Sequence, residues 1–355
     1  MKAWEKNIRK VVPYVPGEQP GNKNVVKLNT NENPYPPAPG VQKVLQEFDA
    51  SRLRLYPDPS GTLLVEELAR FYHLDKEQIF VGVGSDDVLA MAFMTFFNSD
   101  QPILFPNITY SFYPVWCNLF SIPYKTPALD PNFRIVREDY YRENGGIVIA
   151  NPNAPTSIYE EVSIIEDILR HNSSSIIIVD EAYIDFAGTS CLELIDRYEN
   201  LLVVQTFSKS RSMAGMRIGF AMGNPVLIQA LNEVKYSFNS YTMDTVSLLT
   251  GAAAVKDEEY FRSIVQKVIL TREQAKEQLK ELGFSFPVSG ANFIFATHER
   301  IPAKRIYEAL RENDIYVRYF NMPRIDNYLR ISIGTDEEMD RLFTFLRKWL
   351  NHPNA

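Results

Sequence analysis

The residues of this 355-residue chain best suited to chemistry are a lysine and an arginine that lie eight positions apart. Lys209 follows the apolar run at 201–204 and the polar residues Thr206 and Ser208, and Arg217 opens a second strand-like run. An ammonium group at the mouth of a buried strand must find a partner or lose part of its hydration. Either Lys209 is a solvated loop lysine, or this position is a site of amine chemistry.

Two more apolar runs end in polar residues in the same way. The run IIIVD ends at Asp180 and is followed by Tyr183, and the run GIVIA leads into an Asn/Pro turn at 151–157. In open α/β sheets, ligands bind in the crevice outside the carboxyl ends of the strands, so these side chains are predicted to share one crevice. A lysine and a carboxylate delivered there suit pyridoxal 5′-phosphate, which forms a Schiff base with a lysine and pairs its ring nitrogen with an aspartate. The spacing makes this cofactor the hypothesis to test.

Composition excludes several other classes of protein. The chain is 45% hydrophobic and 23% charged, which is typical of a globular enzyme, and its net charge of −7 without a basic block argues against nucleic acid or anionic membrane as partners. Cys117 and Cys191 form no CxxC pattern and the four histidines are scattered, so neither a disulfide framework nor a metal site is predicted. The sequence shows no signal peptide and no membrane-spanning run, and a cytoplasmic location is expected.

The alternation of apolar runs and helical patterns predicts an α/β fold. Strands near 101–106, 146, 175, 201 and 217 alternate with helices such as 162–171 and 192–198, which favours a mostly parallel sheet wrapped by helices. The stretch QIFVGVGS predicts a strand, a Gly-Ser turn at Ser85 and a helix N-terminus. Such a turn either cradles a phosphate or is simply tight.

Beyond residue 224 the pattern changes to long helices at 225–236 and 257–282, followed by short strands and helices that predict a smaller α+β domain. We therefore expect three parts: a Pro-rich N-terminal arm at 1–40, a large α/β domain at 41–255 that binds the cofactor, and a small C-terminal domain at 256–355 joined by the arm.

Ten motifs, in this order, cover nearly the whole chain: PYVPG, LNTNENPYPP, LYPDPSG, VGVGSDD, NITYSFY, NPNAPTS, VDEAYIDF, TFSKSRSMAGMRIGF, ANFIF and YLRISIGT. In this order and spacing they resemble the class I/II aminotransferases of fold type I, which depend on pyridoxal 5′-phosphate. The resemblance implies a large domain with a mostly parallel sheet, a smaller α+β domain, and a homodimer with shared active sites.

The resemblance also implies residue roles. Lys209 is expected to hold the cofactor and move a proton, Asp180 to pair with the ring nitrogen, and Tyr183 to contact the ring oxygen. The residues expected to bind the cofactor are Ser85, Asp86, Tyr110, Asn153, Asp180, Tyr183, Thr206, Ser208, Lys209 and Arg217, with Tyr56 from the neighbouring subunit. Those expected to bind the substrate are Tyr14, Asn33, Arg318 and Arg330.

Two departures from the family pattern affect these expectations. Ala154 stands where the family has an asparagine that contacts the ring oxygen, and Ser157 replaces a glycine. Either Asn153 takes over this contact or Tyr183 makes it alone. Asp87 stands where a glutamate is common, which should leave the backbone contacts at Ser85 and Asp86 intact.

Within the family the likeness is greatest to members that act on histidinol phosphate. It implies that L-histidinol phosphate and 2-oxoglutarate give imidazole acetol phosphate and L-glutamate, a step of histidine biosynthesis. Arg318 and Arg330 suit a dianionic phosphate, although Arg318 could equally be a solvated strand residue. The alternatives are an aromatic amino-acid aminotransferase, a threonine-phosphate decarboxylase, and a non-catalytic ligand-binding or regulatory protein.

Overall fold

A computed structural model describes residues 2–21 and 24–351. The strands are β1 (Val26–Leu28), β2 (Ile79–Gly82), β3 (Ile103–Leu104), β4 (Tyr124–Lys125), β5 (Ile147–Ala150), β6 (Ile177–Asp180), β7 (Leu201–Thr206), β8 (Gly219–Gly223), β9 (Phe284–Ser285), β10 (Phe293–His298), β11 (Ile315–Tyr319) and β12 (Leu329–Ser332). The α-helices are α1 (Pro39–Glu47), α2 (Thr62–Tyr72), α3 (Ser85–Phe96), α4 (Tyr113–Phe120), α5 (Val162–His171), α6 (Pro225–Phe238), α7 (Thr245–Lys256), α8 (Glu258–Glu281), α9 (Ala303–Glu312) and α10 (Asp336–Asn351).

The larger sheet has seven strands in the order β2-β8-β7-β6-β5-β3-β4. Adjacent strands of this sheet pair in parallel, except that β8 is antiparallel to both β2 and β7. Alternate residues of its strands enter two different apolar cores, as Leu201 and Leu202 do on β7. Because both faces are buried, these strands read as continuous apolar runs. The carboxyl ends of β5, β6 and β7 meet at one edge of the sheet.

The smaller sheet has five strands in the order β1-β11-β12-β10-β9. β1 comes from the segment predicted to be an arm, and it pairs in parallel with β11, while β10, β11 and β12 are antiparallel. A third core packs this sheet against α8, α9 and α10. The parallel pairing carries residues 29–33, which follow β1, to the edge of both sheets.

Two local predictions differ from the structure, and one helix was not predicted. The helix predicted at 192–198 is a short 3-10 turn at Cys191–Leu194. The strand predicted to open at Arg217 begins at Gly219, because Arg217 adopts a left-handed backbone with φ 51°. Helix α7 was not predicted, since its small residues are buried on most sides and show no amphipathic period. No helix within 2–21 and 24–351 is both long and apolar enough to cross a bilayer.

Candidate active site

A cavity of about 660 Å³ lies where the edges of the two sheets meet. The ends of β5, β6 and β7, the N-terminus of α3, the segment after β1 and the strands β11 and β12 all contribute to its wall. The predicted site residues that line it are Tyr14, Ser85, Asp86, Tyr110, Asp180, Tyr183, Thr206, Ser208, Lys209, Arg217, Arg318 and Arg330. Twelve of the fifteen predicted site residues therefore share one space.

Lys209 enters the cavity just beyond the end of β7. Its Nζ donates a hydrogen bond of 3.3 Å to the carbonyl oxygen of Thr30 and lies 5.8 Å from the centre of the Tyr183 ring. The side chain is half-buried and makes no ion pair with a described carboxylate within 4 Å. One long hydrogen bond to a neutral carbonyl positions the amine, so the amine remains available to react with a molecule in the cavity.

Asp180 is a buried carboxylate at the end of β6, with 5% of its surface exposed. Its Oδ2 accepts a hydrogen bond of 2.9 Å from the Tyr113 hydroxyl, and its Oδ1 accepts one of 3.2 Å from the Ala182 amide. Burial raises the pKa of Asp180 to about 6, although these two hydrogen bonds act in the opposite direction. A cationic group in the cavity would stabilise the ionised form.

The turn between β2 and α3 makes a concave surface of backbone. Gly84 adopts φ 84°, and a Cβ at Gly219 would lie 2.3 Å from both the Gly84 carbonyl carbon and the Ser85 nitrogen. The close approach of β8 holds the first turn of α3, whose unpaired N–H groups favour an anion. Arg217 closes this cradle, with guanidinium nitrogens 3.5 Å from Ser208 Oγ and from Asp86 Oδ2.

An aromatic wall faces the cradle. Tyr110 donates a hydrogen bond of 2.8 Å to Asp86, and burial beside that carboxylate raises the pKa of Tyr110 well above its usual value. Tyr14 stacks on Phe112 with ring centres 4.3 Å apart. The Tyr110 ring also packs edge-to-face against Tyr113 with ring centres 5.7 Å apart, so the ring is held by Asp86 at its hydroxyl and by aromatic packing.

Two arginines line the part of the cavity that the smaller sheet contributes. Arg318 on β11 is the register partner of Arg330 on β12, so both side chains leave the same face of the smaller sheet. Arg330 donates to the carbonyl oxygen of Asn29 at 2.8 Å, but its buried Nε has no protein partner. Burial lowers the pKa of Arg330, and the charge of Arg318 acts in the same direction.

Three of the predicted site residues are not among those that line the cavity in one chain. Asn153 Oδ1 accepts from the Thr109 hydroxyl, and its Nδ2 donates to the Ile108 carbonyl and to Thr156, so both ends of the amide already have protein partners. Asn33 donates to the backbone carbonyl of Lys209 at 3.0 Å and accepts from the Tyr35 amide, so it holds the lysine's backbone rather than lining the cavity.

Tyr56 is 82% exposed and stacks on Tyr241 at 4.7 Å, away from the cavity of its own chain. This placement leaves its predicted role across a subunit interface as a prediction. Within one chain, Tyr56 does not contribute to the site.

Sequence reasoning missed Tyr113 and Asn31, which contact Asp180 and Tyr183 respectively. Tyr113 lies at the end of the motif NITYSFY and Asn31 lies in LNTNENPYPP, so both motifs were noticed without these roles. The signals that could have indicated these contacts are a hydroxyl-bearing tyrosine in an aromatic run and an amide side chain in an Asn-rich run.

The geometry thus defines an enzyme site of a particular class: an amine, a buried carboxylate and an anion cradle around one cavity. A family model for aminotransferase class I and II matches residues 23–346 of the chain. The chain is 49% identical over 348 residues to the histidinol-phosphate aminotransferase of Lactococcus lactis subsp. lactis (strain IL1403), covering 98% of this chain and 97% of the relative. It is 50% identical over 350 residues to the histidinol-phosphate aminotransferase of Clostridium botulinum (strain Langeland / NCTC 10281 / Type F), covering 99% of each.

Among solved structures, the histidinol-phosphate aminotransferase from Sinorhizobium meliloti in complex with pyridoxal-5′-phosphate matches with a TM-score of 0.83 and 22% identity. The match covers 91% of this chain and 90% of that chain, and at this identity it shows the fold. This chain belongs to the class I and II aminotransferase family. The family and the α/β fold class predicted from the motifs are confirmed, and the protein is an aminotransferase.

Proposed function

We propose that this aminotransferase uses pyridoxal 5′-phosphate to exchange an amino group between L-histidinol phosphate and 2-oxoglutarate, giving imidazole acetol phosphate and L-glutamate. The observation that carries this proposal is the pair Arg318 and Arg330, which lies in the same cavity as Lys209 and Asp180. The names of the two relatives at 49% and 50% identity support the same reaction. The reaction would serve histidine biosynthesis.

The residues present fit the cofactor. The backbone cradle at Gly84 and Ser85 is kept open by two glycines, and Arg217 supplies a fixed cation for a phosphate. Asp180 is a buried carboxylate without a cationic partner at hydrogen-bonding distance, which is what a protonated ring nitrogen would supply. Lys209 lines the same cavity as the cradle and Asp180.

Each residue then has a chemical task. Lys209 would hold the cofactor aldehyde through its Nζ and, once released, carry the proton that leaves the substrate Cα. Asp180, oriented by Tyr113, would keep the ring nitrogen protonated, and Tyr183 would donate to the ring oxygen. When bound, the cofactor supplies an electron-accepting ring that stabilises the pair of electrons left on the substrate Cα.

The arginine pair suits a phosphate ester better than a single carboxylate. Two guanidinium groups on one face repel each other, and Arg330 has an unpaired Nε in a buried setting. A dianion would neutralise both groups and accept from that Nε. Glutamate, the other amino-group donor, carries only singly charged carboxylates, so it should depend less on Arg318.

An amine-donor screen with 2-oxoglutarate as acceptor tests the assignment, with histidinol phosphate, phenylalanine, tyrosine and threonine phosphate compared. We expect histidinol phosphate to give the highest kcat/KM. Arg318→Ala should lower that value roughly tenfold to a hundredfold, the size of a charged hydrogen bond, and should affect glutamate less. Arg300→Ala is the matched control, because Arg300 pairs with Glu299 on the exposed surface.

Equal losses for both substrates would make Arg318 a shared carboxylate ligand or a structural residue. Activity on phenylalanine and tyrosine alone would move the assignment to an aromatic amino-acid aminotransferase. Release of CO₂ from threonine phosphate would move it to a decarboxylase, and no activity on any donor would favour a ligand-binding protein.

We also propose that the protein acts in the cytoplasm as a homodimer. The exposed tyrosines Tyr56 and Tyr241 support the dimer, because an exposed aromatic pair gains most from burial against a partner. In the proposed dimer, Tyr56 serves the partner's cofactor site.

A further inference from the structure

Asn31 is a buried residue whose contacts join the segment after β1 to both sheets. It is 1% exposed and adopts a left-handed backbone with φ 57°, which asparagine tolerates better than most residues. Its Nδ2 donates a hydrogen bond of 2.9 Å to the Tyr183 hydroxyl oxygen. Its backbone carbonyl accepts from Asn292 at 3.0 Å, which fixes the residue on the side of the smaller sheet.

We infer that Asn31 is a positioning residue that directs the hydroxyl proton of Tyr183 into the cavity. This inference rests on the proposed function, since it concerns how Tyr183 meets the ring oxygen of pyridoxal 5′-phosphate. It assigns a role to a residue that lies in the motif LNTNENPYPP but is not among the predicted site residues.

The direction of the Asn31 amide follows from its contact with Ser332. The Ser332 Oγ lies 3.0 Å from the Asn31 backbone nitrogen and 3.0 Å from Asn31 Oδ1. A hydroxyl has a single proton, and here it accepts from the backbone N–H and donates to Oδ1. In the opposite amide orientation, Ser332 Oγ would face two N–H donors and its own proton would lose this acceptor. The amide nitrogen therefore faces Tyr183.

The N–H donor from Asn31 determines which hydrogen bond the Tyr183 hydroxyl can still donate. The Tyr183 oxygen already accepts from Asn31, so its own proton is directed to an acceptor elsewhere, and the ring lines the cavity. Accepting one hydrogen bond also strengthens the bond that the same hydroxyl donates. The loop that contains Asn153 and Ala154 offers no other side-chain donor to the ring oxygen. Ala154 has no polar side chain, and the Asn153 amide is used by Thr109, Ile108 and Thr156.

Two substitutions change this contact while respecting the left-handed backbone. Asn31→Asp keeps the shape but replaces the donor with an acceptor, so the Tyr183 hydroxyl would turn towards it. Asn31→Gly removes the side chain without adding a charge and suits φ 57°. Both substitutions are made in the natural chain and in a Tyr183→Phe background. The comparison separates the part of each effect that depends on the Tyr183 hydroxyl.

The readout is the midpoint of the pH-dependent absorption change of the bound cofactor, with apoenzyme Tm and cofactor Kd measured alongside. A donor to the ring oxygen stabilises its more negative form and lowers that midpoint. We expect Asn31→Asp to raise the midpoint by roughly half to one pH unit, the size of one hydrogen bond, and Asn31→Gly to raise it less. Lys209 and Arg330 are the charged groups that face Tyr183, and both are unchanged in every comparison.

In the Tyr183→Phe background the Asn31→Gly shift should vanish and the Asn31→Asp shift should shrink to the effect of its charge. Equal shifts in the two backgrounds, or unchanged midpoints with only a lower apoenzyme Tm, would show that Asn31 is merely structural and overturn the inference. A natural chain that binds no pyridoxal 5′-phosphate would overturn the proposed function and this inference together, and the Kd measurement separates that case from the others.

Discussion

At Asp180, a single phenol hydroxyl changes the pKa of a buried carboxylate. Burial alone would favour the neutral acid, and the Tyr113 hydroxyl, 2.9 Å from Oδ2, favours the charged form. The net result is a pKa of about 6, so the carboxylate is mostly ionised at neutral pH. Its charge is therefore available to hold a protonated ring nitrogen, at the cost of sensitivity to mild acid.

Removing that phenol should make cofactor binding more sensitive to acid. Tyr113→Phe keeps the packing against Phe93 and Phe105 but removes the donor, so the pKa of Asp180 rises further. In the natural apoenzyme, the affinity for pyridoxal 5′-phosphate should fall as the pH drops through about 6. In the variant the fall should begin at higher pH, with affinity at pH 7 roughly tenfold lower. Equilibrium titration of the apoenzyme across pH measures both effects.

Asp180→Asn is the reference for this measurement, because it cannot ionise. It should lack the Asp180 component of the pH dependence and should lower kcat by several orders of magnitude. A Tyr113→Phe profile that coincides with the natural one would show that Tyr113 only packs. A loss below roughly tenfold in Asp180→Asn, about 1.4 kcal/mol of barrier, would remove Asp180 from the ring-nitrogen role.

Among the secondary-structure elements, the contact between β8 and the start of α3 shapes the anion cradle. Gly219 pairs with Gly82 and with Thr206 in the sheet, and it also touches the backbone of the turn that precedes α3. Two pieces of backbone can approach this closely only where no Cβ intervenes. The position of the helix N-terminus is thus set by a strand that is distant in sequence.

Gly219→Ala should disturb this contact. The added Cβ would meet the Gly84 carbonyl carbon and the Ser85 nitrogen at 2.3 Å, so backbone must move. We expect a loss of apoenzyme stability of ~1–3 kcal/mol, the usual range for overpacking, and weaker cofactor binding. Denaturant unfolding and cofactor titration measure the two effects.

Gly215→Ala is the matched control in the same stretch of chain. A Cβ at Gly215 would meet nothing within 4 Å, and the residue lies in the short helical turn Ala214–Met216. Its stability and affinity should stay close to natural values. Equal effects of the two substitutions would show that the close approach at Gly219 is not what keeps the cradle in place.

At the scale of the whole molecule, the active site is assembled from parts that are far apart in sequence. Residues 29–33 bring together Lys209 through Thr30 and Asn33, Tyr183 through Asn31, and Arg330 through Asn29. One short segment therefore contacts residues that follow β6 and β7 of the larger sheet and an arginine of the smaller sheet. Tyr56 does not join this assembly within one chain.

Mixing Lys209→Ala and Tyr56→Ala subunits tests whether Tyr56 acts across the interface. Each mixed dimer would contain one doubly defective site and one site with both natural residues. Random exchange of equal amounts makes about half of the dimers mixed, so about a quarter of all sites should recover activity. If subunit exchange is verified by mass and activity stays at the mean of the two parents, Tyr56 does not serve the partner's site.

Much of this site could be predicted from the sequence because its signals are local. The strands β5, β6 and β7 are buried on both faces, so they read as apolar runs, and the residue that ends each run is plain from the sequence alone. Parallel pairing then places those ends at one edge. For this reason Asp180, Thr206 and Lys209 could be assigned to one crevice without a structure.

Contacts that depend on side-chain direction and distant register were decided only by the tertiary structure. Asn31 and Tyr183 are 152 positions apart, and Asn31 and Ser332 are 301 positions apart, so no local pattern connects them. Asn153 has the residue type expected at the ring, but its amide is captured by a neighbouring loop. A motif specifies which groups are present, whereas the direction of each group depends on which distant donor or acceptor packs beside it when the backbone is buried.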